Sequence, residues 1–177
     1  MHNNPEIILY MISQAIILLF VFYTGFEKIT SKYVANIHKF VTGVILFLAL
    51  LISIRLTTYL PFLGYAAFPT TAIKDILVPE KANVNVTLPF MNIPDNTKIV
   101  YWGAKTASKT VANPQTAYAD FSNCGVALIR NNKADISFNC PAKYVVPWGE
   151  TLDRHIHYRI IYADGIIGPV QTVYVKC

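Results

Sequence analysis

Two histidines set two apart in the run RHIHYRIIYADG, residues 154–165, are the side chains here best placed to do chemistry. On a strand, His155, His157, Arg159 and Ile161 share one face, and Arg154, Ile156, Tyr158, Ile160 and Tyr162 share the other. A His-x-His pair offers two imidazoles on one side, the beginning of a copper or zinc site. Such a site needs a third and usually a fourth ligand. The remaining histidines, His2 and His38, lie in a different part of the chain. The face carrying Ile156, Tyr158, Ile160 and Tyr162 is the expected core face, so the histidines are expected to meet solvent or a partner. His155 and His157 therefore stand as the metal candidates, and with Arg159, Trp102 and Trp148 as candidate protein contacts; the two tryptophans suit a core or an interface better than a ligand platform. No metal and no cofactor is expected.

The cysteines give a second constellation. In CGVALIRNNKADISFNC, residues 124–140, a three-residue loop at 131–133 would pair Arg130 with Ala134. Val126 then faces Phe138, Leu128 faces Ile136 and Cys124 faces Cys140, all on one core-facing side. Cys124 and Cys140 there either form a disulfide or stay as small buried hydrophobes. Cys177 is left over, and three cysteines without CxxC spacing do not make a zinc signature. The chain has no Gly-x-Ser-x-Gly, no Gly-rich phosphate loop and no paired-carboxylate motif. Asp120, Asp153 and Asp164 sit beside turns, where Asp commonly bends the chain. The expectation is a protein that is not an enzyme.

The elements that must position these residues fall into two parts. The chain of 177 residues is 54% hydrophobic and 14% charged, against about 25% charged in an ordinary soluble domain. The deficit lies in the first third: residues 7–26 carry no charge, nor do residues 40–54. Two transmembrane helices are expected, spanning about 5–26 and 36–58, a hairpin within residues 1–60. Asn4, Pro5 and Glu6 form a helix start, and twenty residues rise about 30 Å, one hydrocarbon thickness. MHNNPE lacks the basic n-region of a cleaved signal, which favours a retained span. Ser13 and Gln14 are expected to face a neighbouring helix.

The net charge of +5 divides as +3 over residues 1–74 and +2 over the rest, so the excess lies beside the apolar segments. Lys28, Lys32, Lys39, Arg55 and Tyr59 are the expected membrane-interface residues, with Phe62, Tyr65 and Phe68 continuing an aromatic belt. The lysines of the connecting loop favour a cytoplasmic loop, but Arg55, Lys74 and Lys81 on the other flank offset that bias, leaving orientation open. No basic stripe with stacking aromatics is present, which argues against nucleic acid as a partner.

After a Pro-rich neck, 61–80, short runs of β-formers broken by turn residues fill 81–177. Strands are expected at 83–88, 98–104, 117–121, 125–130, 134–139, 143–147, 154–163 and 169–176. Seven or eight short strands point to an antiparallel β-sandwich, Ig-like or jelly-roll-like. Asn85-Val86-Thr87 is a glycosylation sequon, relevant only if the domain faces a secretory lumen.

Paired N-terminal spans, the neck YLPFLGYAAFPTTA, and a β domain carrying VYWGAK, YADFSNCGVA and HIHYRIIYADGIIGPVQTVYV together resemble membrane-anchored minor capsid proteins of large icosahedral double-stranded DNA viruses. The resemblance implies a structural protein of the virion inner membrane, tethering the capsid lattice to the bilayer beneath it. Its implied partners are the bilayer and the major or other minor capsid proteins, within a large assembly. The soluble part is too short to be a double-jelly-roll major capsid protein. An alternative is a membrane-anchored cell-surface or periplasmic copper-binding β-sandwich, since YRIIYADGIIGPVQTVYV is similar to the last hairpin of small copper carriers. A third reading is a subunit or assembly factor of a membrane enzyme whose partners supply the chemistry.

Overall fold

The structure, a computed structural model, describes residues 5–146 and 149–177. The chain divides into two compact units, with the boundary between Gly64 and Tyr65.

The first unit is helical. Helix α1 covers Pro5–Thr30 and α2 covers Asn36–Ser53, followed by the single turn α3, Leu56–Tyr59, and a 3-10 turn, Pro61–Leu63. The segments Ile8–Thr30 and Asn36–Ser53, with mean hydropathy 1.9 and 1.8, are long and apolar enough to cross a membrane. Phe20, Tyr23, Phe26, Ile37, Phe40 and Phe47 are all exposed, a density of bare apolar surface that marks a face for lipid or for a protein partner. The two helices meet at Gly25, where an added Cβ would lie 2.5 Å from Leu46 Cδ2. Helix α2 ends at Ser53, before the 58 expected for the second span. Thr58 Oγ1 donates to the Ile52 carbonyl at 2.6 Å and Arg55 N also bonds Ile52 O, so the last carbonyls are capped and the helix breaks at Ile54–Arg55. Ser13 does not reach across to a second helix; its hydroxyl donates to Tyr10 O in its own helix.

The second unit is an antiparallel β domain built from small, open sheets. Its strands are β1 (Ala66–Ala67), β2 (Val84–Pro89), β3 (Lys98–Gly103), β4 (Cys124–Leu128), β5 (Lys133–Phe138), β6 (Tyr144–Val145), β7 (Thr151–Leu152), β8 (His155–Ile161), β9 (Ile166–Ile167) and β10 (Gln171–Tyr174). The main sheet runs β1-β9-β8-β3-β4, with β10 also on β8; β2 pairs β5, and β6 pairs β7. The neck is not a free lead-out. Ala66 and Ala67 pair with Ile167 and Ile166, Phe68 N bonds Gly165 O, and Leu77 exchanges two backbone hydrogen bonds with Val126.

Alternation sets the core. Ile99 and Tyr101 of β3, Ala127 of β4, Ala134, Ile136 and Phe138 of β5, Leu88 of β2 and Ile156 of β8 form one buried cluster. Tyr101 ties the two groups of strands: its hydroxyl donates to Ser137 O at 2.9 Å. Its ring lies over Gly125, where a Cβ would sit 2.2 Å from the hydroxyl oxygen.

Two expectations fail here. The stretch 117–121 is no strand: a short helix α4, Pro114–Tyr118, starts on an Asn-Pro signal, with Asn113 Oδ1 accepting from Thr116 N at 2.8 Å. The 124–140 hairpin is also not a ladder. Arg130 bridges Lys133 across a two-residue turn in which Asn131 and Asn132 take φ of 51° and 59°, the left-handed pair that asparagine tolerates. Beyond it, β4 pairs with β3 and β5 with β2. Val126 and Phe138, Leu128 and Ile136, and Cys124 and Cys140 are therefore not cross-strand partners.

Candidate functional site: a buried histidine and tyrosine cluster

The second face of the main sheet is covered at its His155 end. Ala104, Val111, Ala117, Ala142, Tyr144 and Val146 form a second buried cluster, with Tyr118 and Leu152 packed against it. Of the chemistry-bearing side chains of β8, His155 lies beneath this cover, while His157 and Arg159 are partly buried. His155 is 2% exposed, so the expectation that it meets solvent or a partner is overturned: Tyr118 of α4 and Tyr144 of β6 close over it, which strand alternation could not reveal.

The polar atoms form a directed chain. His155 Nδ1 lies 2.6 Å from Asp153 O, and a carbonyl only accepts, so Nδ1 carries the proton. Nε2 is then the acceptor, with Tyr144 Oη at 3.1 Å and Tyr118 Oη at 3.5 Å. The two hydroxyls are 3.0 Å apart. Tyr144 donates to His155 and Tyr118 donates to Tyr144. Burial, then the bond to Tyr144, pushes the Tyr118 hydroxyl well above its ordinary value, and burial pushes Tyr144 up too. Burial pulls His155 down. Every member is held neutral, with its hydrogen bonds made inside the protein.

His157 continues the cluster. Its Nδ1 is 2.9 Å from Thr172 Oγ1, and its ring centroid lies 4.8 Å from that of His155 and 5.5 Å from that of Trp102. Burial, reinforced by repulsion from His155, lowers it to about 4. Cys124, Trp102, His157 and Thr172 form one row across β4, β3, β8 and β10. Among the described residues no three His, Cys, Asp or Glu side chains are grouped to hold a metal ion.

The other candidates are scattered. Arg159 is partly buried and donates from Nη1 to Gly168 O at 3.1 Å. Trp148 lies outside the described residues. The disulfide joins Cys140 to Cys177, Cα atoms 5.9 Å apart, and Cys124 is a free thiol. The Cys124–Cys140 pairing fails because their strands part into different sheets, while Val175 N bonding Arg154 O carries the chain toward Cys140. Arg154 Nη1 lies 3.0 Å from Cys140 Sγ and donates to Pro141 O at 2.7 Å. Lys28 lies in the last turn of α1, Lys32 in the turn between helices, Lys39 early in α2, Arg55 at the helix break and Tyr59 at the end of α3.

Sequence reasoning missed Tyr118, Tyr144 and Asn123. Asn123, 2% exposed, donates from Nδ2 to Ala104 O and Asn139 O and accepts from Asn139 N, stitching β3, β4 and the end of β5 together. Asn113-Pro114 was the one local signal that could have placed Tyr118 on a helix; Tyr144 and Asn123 carry none. No protein-family model matches this chain, and no curated protein matches it in sequence.

Proposed function

We propose that this chain is a structural membrane protein whose β domain ties an outer protein shell, the capsid lattice of a virus of the kind it resembles, to the bilayer beneath. The observation that carries the reading is the contrast between the two units. The helices leave large apolar side chains bare, while no buried side-chain N or O lacks a partner among the described residues. A β domain so paired suits a rigid docking head, and many weak contacts made by many copies add up to firm adhesion. The β2–β5 pair and the main sheet, joined through Tyr101 and their common core, are read as the two layers of an Ig-like or jelly-roll-like sandwich.

The histidine cluster supports a structural role over a catalytic or copper-carrying one. Both ring nitrogens of His155 are engaged, and the tyrosines are far from ionising. Flotation and carbonate extraction of membranes bearing the full chain test the anchor: retention in the membrane pellet is expected, and release by carbonate would overturn it. Immunogold labelling of source cells, with antibody against the β domain, tests the tether. Label between shell and bilayer of particles is expected; label confined to cellular membranes would overturn it.

A further inference from the structure

A single crossing by α2, Asn36–Ser53, sets the turn before it and the β domain after it on opposite faces of a bilayer. Three observations from separate parts of the chain bear on which face is which. Cys140 and Cys177 are joined within the β domain, and such bonds persist on the oxidising side of a membrane. The basic residues near the span are the second. Lys28, Lys32 and Lys39 flank the α1–α2 turn, and Lys74 and Lys81 offset them only while the neck counts as flexible flank. It does not: Asp75 pairs with Lys98 at 2.8 Å, Lys98 Nζ donates to Ile73 O, and Leu77 is paired with Val126. Lys74 and Lys81 belong to a folded domain, and charge within a domain does not set orientation. Arg55 alone then stands against three lysines. Third, Asn85 of the sequon Asn85-Val86-Thr87 is exposed, on a strand whose Val86 packs against the core.

We infer that the turn between α1 and α2 faces the cytoplasm, that the β domain lies on the oxidising, lumenal or extracellular side, and that Asn85 there is an acceptor for an N-linked glycan. This rests on the membrane-anchor part of the proposed function and not on the capsid part. The glycan would stand on the open face of the β2–β5 pair, where Ser137 Oγ donates to Asn85 Oδ1 and Thr87 Oγ1 donates to Asp135 Oδ1. Docking would then fall to other surfaces of the domain.

The test is translation of the full chain with endoplasmic-reticulum microsomes, read by carbonate pelleting, protease protection and gel mobility. The expected result is a carbonate-resistant chain whose β domain is shielded from added protease, with a mobility shift removed by an endoglycosidase. Asn85→Gln and Thr87→Ala should each abolish the shift without changing protection. A carbonate-resistant chain whose β domain is digested from outside would overturn the orientation while leaving the anchor standing. Protection with no shift, or a shift that survives both substitutions, would overturn Asn85 as the acceptor. Release by carbonate would instead remove the anchor on which the inference depends.

Discussion

The Tyr144 hydroxyl lies 3.1 Å from His155 Nε2, and the opposite edge of the same imidazole is held by Asp153 O at 2.6 Å. One strand residue is thereby locked in tautomer and orientation by a residue from a two-residue strand that sequence patterning barely marks. Tyr144→Phe should leave a buried acceptor short of its donor and cost about 1–3 kcal/mol. Tyr118→Phe should cost less, because Tyr144 keeps its bond to the histidine. Denaturant unfolding of the two variants and of their double mutant checks this, and a non-additive double mutant is expected for groups in one chain.

Acid should loosen the same region. His155 and His157 are held below the ordinary value of 6.5, His157 at about 4. With the folded value depressed, the unfolded chain binds more protons below 6.5, so stability is full above that pH and falls as pH drops from 6.5 toward 4. His157 alone sets a loss of up to about 3 kcal/mol. Asp120, held down by the Ser122 amide, and Asp153, held down by Lys143, act only below the ordinary carboxylate value of 3.8, a separate window. Thermal melts of the full chain in detergent between pH 7.5 and pH 4.5 (about one unit beyond the histidine value on one side) should show a falling midpoint. His157→Gln should flatten that slope.

The disulfide should matter more than the free thiol. Cys140 and Cys177 are 37 residues apart in sequence, a closed loop whose loss costs about 3–4 kcal/mol in the chain-entropy account. Cys177→Ser should lower stability by that order and Cys124→Ser should change it little. Thiol titration checks the pairing directly: one reactive thiol per unfolded, unreduced chain, and all three after reduction.

Glycine spacing gives the sharpest steric test. An alanine methyl at Gly125 would meet Tyr101 at 2.2 Å and Leu77 O at 2.6 Å, so Gly125→Ala should cost about 1–3 kcal/mol or more through overpacking. Gly43, where an added methyl would have nothing within 4 Å, is the matched control, and Gly43→Ala should be tolerated. Unfolding midpoints of the two variants in one detergent decide it.

Much of the plan was legible because it rests on local patterns. Charge-free runs marked both helices. Period-two alternation placed β2, β3, β5 and β8, and put Ile156 on the core side with Tyr158 and Ile160 packed beside it. What failed depended on distant segments. Alternation separates the faces of a strand, but it cannot tell that Tyr118 and Tyr144 close over one end of the polar one, so His155, expected at a contact, is buried instead. Nor can a turn reveal that the strands on either side of it join different neighbours, which is why Cys140 meets Cys177 and not Cys124.

By itself, then, the sequence determined that two apolar helices precede an antiparallel β domain, since hydrocarbon-length runs and strand periodicity are written in neighbouring residues. Only the tertiary structure decided the disulfide, the stitching of residues 65–80 to the sheet, and the closing of Tyr118 and Tyr144 over His155. Those contacts join residues far apart in the chain, and no local rule fixes which distant segments will share a core.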